Sequence, residues 1–215
     1  MAGRFVTFEG GEGAGKSTQI RRLAARLAEM GVGVVTTREP GGTAVAEAVR
    51  RFILSGTARP LGAEAEAVLF AAARADHVDR LIRPALAAGK WVLCDRFTDS
   101  TRAYQGSAGE VDAGLLDALD RVAVGSTRPD LTIVLDIPVE VGLERVAGRL
   151  AASGEVLDRF ESDDLAAHEK RRQAYLDIAA RDPGRCLVVD ATKPEDDVAA
   201  AIWQAVSDRL LVKAA

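Results

Sequence analysis

Gly10-Gly11-Glu12-Gly13-Ala14-Gly15-Lys16-Ser17 decides the reading of this chain. The stretch fits the phosphate-binding pattern G-x-x-x-x-G-K-[ST] at every fixed position. Its flanks fit as well. Arg4 to Glu9 is short, apolar and β-prone, which predicts a buried strand. Ser17 to Met30 carries Ile20, Leu23, Ala24, Leu27 and Ala28 at the spacing of one helix face. A strand, a glycine loop and a helix in that order make an anion trap. Glycines allow positive φ and let backbone N–H groups turn inward. The helix N-terminus adds partial positive charge. Lys16 can reach β- and γ-phosphates, and the Ser17 hydroxyl can ligate Mg²⁺.

Strand, loop and helix patterns then alternate to the end of the 215 residues. Strands are predicted at 32–37, 91–94, 131–136 and 186–190. Helices are predicted over 43–54, over 63–88 with a bend near Pro84, and over 139–149, 163–180 and 195–210. Residues 151–154 are small and read as weakly structured. With the first strand this makes five, and the alternation predicts an α/β fold with a parallel sheet and helices on both faces. No linker or repeat divides the chain, so residues 1–215 read as a single domain.

Composition narrows the function. The net charge of −4 argues against a nucleic-acid binder, which would be basic. No segment approaches 18 unbroken apolar residues, so no membrane span is expected. Cys94 and Cys186 fall in strand-like apolar runs and read as reduced core residues of a cytoplasmic protein. The chain contains no asparagine, which closes the Asn-Lys-x-Asp route to guanine recognition.

In open parallel sheets, ligands bind beyond the C-terminal strand ends. That rule selects Glu9 with the glycine loop, Arg38, Asp95-Arg96 and Asp136. Asp95 closes an apolar strand, where a ligand to the waters of Mg²⁺ would sit. Phosphoryl transfer needs converging positive charge. Arg38, Arg50, Arg74, Arg96, Arg145, Arg149 and Arg159 are available for it. Phe70 and Arg74 lie one helical turn apart and could grip a planar base.

Several motifs together identify a family. They are Phe8 to Thr18, Thr37-Arg38-Glu39-Pro40-Gly41-Gly42-Thr43, Leu69 to Arg74, Asp95-Arg96-Phe97, Ser100 to Gly106, Arg128 to Thr132, and Asp158-Arg159-Phe160-Glu161. Nearly end to end, the chain resembles the thymidylate kinases. The resemblance implies a P-loop NTPase fold with a small helical lid at about 145–161. It implies transfer of the γ-phosphoryl of ATP to dTMP, with Mg²⁺, by a homodimer.

It also implies roles. Gly10, Gly11, Glu12, Gly13, Ala14, Gly15, Lys16, Ser17 and Thr18 would bind ATP, and Ser17 and Asp95 would hold the metal. Phe70 would stack on thymine and Arg74 would bond its O4. Ser100 and Gln105 would read the base edge. Tyr104 would sit under the deoxyribose and disfavour a 2′-hydroxyl. Arg38, Pro40, Arg50 and Arg96 would form the acceptor-phosphate side. Glu12 would lie near the 3′-hydroxyl, and Glu9 near the acceptor phosphate and metal. The glycine loop has no basic residue among its variable positions, as in relatives that deliver arginine from the lid. Arg159 is then expected as the main finger, with Arg149 assisting. The lid carries extra small residues around Leu150 to Ser153, and Phe97 stands where many relatives have tyrosine or histidine.

Overall fold

Five parallel strands form one sheet in the order β2-β3-β1-β4-β5. They are β1 (Phe5–Gly10), β2 (Val34–Arg38), β3 (Trp91–Asp95), β4 (Leu131–Asp136) and β5 (Cys186–Asp190). The computed structural model describes residues 2–106, 111–153, 160 and 163–211. β1 lies at the centre, paired with β3 and β4, and all six of its residues are buried. Its side chains alternate between two cores, as the two-residue period of a strand requires. Val6 and Phe8 join Ile20, Leu23, Leu27, Val198 and Ile202 on one face. Phe5 joins Val78, Ile82, Cys94 and Phe97 on the other. The Phe5 and Phe97 rings meet edge to face at 4.9 Å, an arrangement worth about 0.5–1.5 kcal/mol beyond its area.

The helices are α1 (Lys16–Glu29), α2 (Ala44–Leu54), α3 (Ala63–His77), α4 (Arg83–Ala87), α5 (Thr98–Thr101), α6 (Ala113–Val124), α7 (Val139–Ser153), α8 (Leu165–Arg181) and α9 (Glu195–Val206). Thr43 caps α2 by accepting from the Ala46 N–H, and Asp112 and Asp164 cap α6 and α8 in the same way. Among the described residues no helix is long and apolar enough to cross a membrane.

The expected elements are found, with differences at their bounds and with α5 and α6 added between β3 and β4. β2 starts at Val34, two residues late. The expected 63–88 helix is interrupted by a π-turn at Val78–Ile82, just before Pro84. Proline has no N–H to donate, and a widened turn ahead of it accommodates that gap. Ala151, Ala152 and Ser153 continue α7, because alanine favours helix over loop. The last helix ends at Val206, and a π-turn carries the chain through Ser207–Leu211.

The register aligns the strand ends. Arg38 pairs with Asp95, Phe8 with Asp95, and Gly10 with Leu135. The C-terminal ends of β1, β2 and β3 therefore share one edge, beside the central strand where the connections diverge to both sides.

Candidate active site

Close packing shapes the glycine loop. Gly10 has φ 130°, and a Cβ there would lie 2.3 Å from the Leu135 carbonyl oxygen. At Gly13, with φ 68°, a Cβ would lie 2.0 Å from the carbonyl oxygen of Gly142 in α7. Only glycine fits either position. Gly15 enters α1 in the left-handed region without a side-chain cap, so the first N–H groups of α1 face the loop. Lys16 Nζ donates to the carbonyls of Gly11 (2.8 Å) and Gly10 (3.2 Å). Burial and the nearby Arg96 lower its pKa, while Glu12, Asp95 and Glu9 oppose the shift. Ser17 Oγ donates to Asp95 Oδ2 at 2.8 Å.

Arg96 closes β3 in the left-handed region, at φ 70°. Its side chain turns back over the loop. Nη2 donates to Glu12 Oε1 at 2.6 Å, and Nη1 donates to Tyr175 OH (2.9 Å), Gly10 O (3.2 Å) and Ser100 Oγ (3.3 Å). Glu12 Oε1 also accepts from Tyr104 OH at 2.6 Å. Burial would raise the Glu12 pKa, but Arg96, then Lys16 and the Tyr104 hydroxyl, hold it down at about 2. The carboxylate is therefore ionised and tied to the arginine at neutral pH. Nearby, Arg38 pairs with Glu47 (3.2 Å) and Arg50 donates to the Pro40 carbonyl (2.9 Å).

At the far end, Arg74 is buried against Glu39 (Nε to Oε2, 2.6 Å) and the Phe97 carbonyl (3.0 Å). His77 Nδ1 lies 2.9 Å from Glu39 Oε1, and its Nε2 lies 2.8 Å from Thr37 Oγ1. Thus a buried network fixes the Arg74 guanidinium. The Phe160 ring stands 6.3 Å from Phe70 and edge-on to Tyr104 at 5.4 Å.

Many of these groups line one cavity of about 620 Å³, within the range of small-molecule sites. Glu12, Gly13, Ala14, Gly15, Lys16, Ser17 and Thr18 form its loop end. Arg38, Pro40, Arg50, Asp95, Arg96, Ser100 and Tyr104 form its middle, and Phe70, Arg74, Gln105 and Phe160 its far end. Arg145 and Arg149 reach it from α7.

A family model described as thymidylate kinase matches residues 8–202. The chain belongs to the thymidylate kinase family. It is 56% identical over 212 residues to the thymidylate kinase of Nitrobacter hamburgensis, covering 99% of this chain and 91% of that one. It is 57% identical over 213 residues to that of Bradyrhizobium sp. strain BTAi1, covering 99% and 93%. The crystal structure of thymidylate kinase from Ehrlichia chaffeensis superposes with a TM-score of 0.76 at 34% identity, covering 96% of this chain and 99% of that one. The sheet and its helices are those of a P-loop thymidylate kinase.

Several expected residues are not among the described residues that line the cavity. Glu9 does not line the cavity. It is fully buried, and its two oxygens accept from the Phe97 N–H (2.7 Å) and Ser100 Oγ (2.6 Å). An acid at the end of a central strand is walled off by the residues that follow β3. Gly10, which is buried, and Gly11, which is half-buried, both offer carbonyls to Lys16. Arg159 lies outside the described residues, as does most of the lid beyond Ser153.

Sequence reasoning predicted the helix that is α8 but gave its residues no role in the site. Its His168, Arg171 and Tyr175 lie at helical spacing. Tyr175 bonds Arg96, and Arg171 stands 4.5 Å from the Tyr104 ring centroid. Their spacing was visible, but nothing local distinguishes it from an ordinary packed helix face. Glu39 sat inside a recognised motif, yet its role in holding Arg74 needs the fold to bring α3 beside β2.

Proposed function

We propose that this kinase transfers the γ-phosphoryl of ATP to dTMP, giving dTDP and ADP for dTTP synthesis. One observation carries the reading. A phosphate-binding loop, an arginine-rich middle and an aromatic–guanidinium end share a single cavity. A nucleoside triphosphate and a nucleoside monophosphate need those three surfaces in that order.

The loop amides and Lys16 bind the donor phosphates. The Ser17 hydroxyl and Asp95 carboxylate, 2.8 Å apart, are hard oxygen donors that fit Mg²⁺. Bound there, the ion would neutralise charge on the phosphate oxygens. Arg96, with Arg38 and Arg50, orients the acceptor phosphate. That phosphate is already anionic, so no general base is required. Phe70 stacks on thymine, Arg74 and Gln105 with Ser100 read its edge, and Tyr104 excludes a 2′-hydroxyl. Glu12 lies by the 3′-hydroxyl and holds Arg96. Glu9 acts from behind, through Ser100 and the Phe97 backbone. Arg159 is the main lid arginine and Arg149 assists.

The kinase works in the cytoplasm as a homodimer and binds no nucleic acid. Two buried, unbridged cysteines support the compartment. Exposed Val45 and Phe52 on α2, Val68 on α3 and Val122 on α6 support the dimer. A monomeric mass in sedimentation would contradict it.

The reading is tested by coupled ADP release with ATP, Mg²⁺ and one acceptor at a time. Fast turnover is expected with dTMP, slower turnover with dUMP, and little with dCMP, AMP or GMP. Preference for a purine nucleotide would overturn the assignment of Phe70, Arg74 and Gln105.

A further inference from the structure

We infer that Tyr175 of α8 is a positioning residue for Arg96, holding its guanidinium where the acceptor phosphate must be met. The inference rests on the reading that Arg96 holds that phosphate. Tyr175 is 1% exposed, with its ring packed against Ala103, Val134, Ala179 and Cys186. A buried phenol needs partners for its hydroxyl, and this one has two. It accepts from Arg96 Nη1 at 2.9 Å and lies 2.8 Å from Ser100 Oγ.

The proton directions follow from the end of the chain of bonds. Where Glu9 is ionised, above its pKa of about 7, Ser100 gives its single proton to Glu9 Oε2 at 2.6 Å. Tyr175 must then donate to Ser100 Oγ and accept from Arg96. Glu9 is itself anchored by the Phe97 N–H. Among the described residues, the tyrosine hydroxyl is thus the one group that links the guanidinium to this anchored chain within 3.0 Å. The direct alternatives, Gly10 O and Ser100 Oγ, are both 3.2 Å or more from Nη1. Arg96 also needs support because its backbone occupies the left-handed region that non-glycine residues rarely adopt. Tyr175 reaches it from α8, which lies beyond the lid stretch in sequence, and so couples the seating of α8 to the acceptor site.

The test is a mutant cycle of Tyr175→Phe and Arg96→Ala, read with radiolabelled ATP so that slow rates remain measurable. Tyr175→Phe keeps the packed ring, and an unchanged melting temperature within a few degrees will verify the fold. Alone it is expected to lower kcat/KM for dTMP about tenfold while leaving KM for ATP unchanged. In the Arg96→Ala background its further effect is expected to vanish. Unchanged kcat/KM for dTMP in Tyr175→Phe, with Arg96→Ala strongly impaired, overturns the role of Tyr175 alone. The same fold loss in both backgrounds also overturns it. Normal turnover by Arg96→Ala removes Arg96 from the reaction, and the role of Tyr175 with it.

Discussion

Arg96 Nη2 and Glu12 Oε1 meet at 2.6 Å, joining the end of β3 to the middle of the glycine loop. The pair sets donor and acceptor ends of the cavity in fixed relation. Glu12 holds the guanidinium from one side, and Gly10, Ser100 and Tyr175 hold it from the other. Such preorganised charge costs no reorganisation as the transition state forms. Arg96→Ala is expected to lower kcat/KM for dTMP about 10²–10³-fold, with ATP affinity by direct titration little changed. Near-normal turnover would remove the residue from the mechanism.

The lid arginines divide differently. Arg149 lines the cavity from α7, and Arg159 carries the larger share in the proposed mechanism. Arg159→Ala is expected to reduce kcat about 10³-fold, as loss of an arginine finger does. Arg149→Ala is expected to cost less. Single-turnover rates at saturating substrates check the order, and a larger loss at Arg149 would reverse the assignment.

Glu9 provides a pH signature of stability. Burial, then Asp99, pushes its carboxyl from the ordinary 4.5 up to about 7, against the bonds from Ser100 and Phe97 and the charge of Arg96. Between those values the folded state holds the proton more tightly than the unfolded chain. Stability from this group therefore falls as pH rises from about 4.5 to about 7, by on the order of 2–3 kcal/mol. Glu12 acts in the opposite sense, since its folded pKa is about 2. Its contribution is present above 4.5 and is lost as pH falls toward 2. Denaturant titrations of the parent chain and Glu9→Gln from pH 5 to 8 isolate the first effect. The parent should lose stability relative to the variant as pH rises, and a constant difference would contradict the account.

Glu39 is the keystone of the far end. It accepts from Arg74 and contacts His77, and all three are at least 95% buried. Removing one partner strands a buried guanidinium. Glu39→Ala is expected to cost about 3–5 kcal/mol of stability and to raise KM for dTMP, because Arg74 loses its anchor. A loss below 1 kcal/mol by denaturant titration would show that Arg74 finds another partner.

The strands were legible because each is a short apolar, β-branched run closed by a charged or glycine residue. Leu131–Asp136 and Cys186–Asp190 are found at the expected residues. The glycine loop was legible because its chemistry is local. Residues 98–127 received no element in the sequence reading, although Asp112 and Gly125 bracket α6 as cap and stop. The π-turns at Val78–Ile82 and Ser207–Leu211 could not be read, since one widened turn leaves the apolar period nearly unchanged. Glu9 illustrates the remaining gap. Its position at a strand end suggested contact with substrate, but only the folded chain reveals Phe97 and Ser100 standing in front of it.

The central claim is that the cavity accepts a nucleotide already carrying a phosphate. Initial rates of ADP release should be compared with ATP and Mg²⁺ alone, with thymidine added, and with dTMP added. The account predicts rapid, saturable release with dTMP and background rates in the other two mixtures. Turnover with thymidine matching or exceeding that with dTMP, or release indifferent to any acceptor, would contradict it.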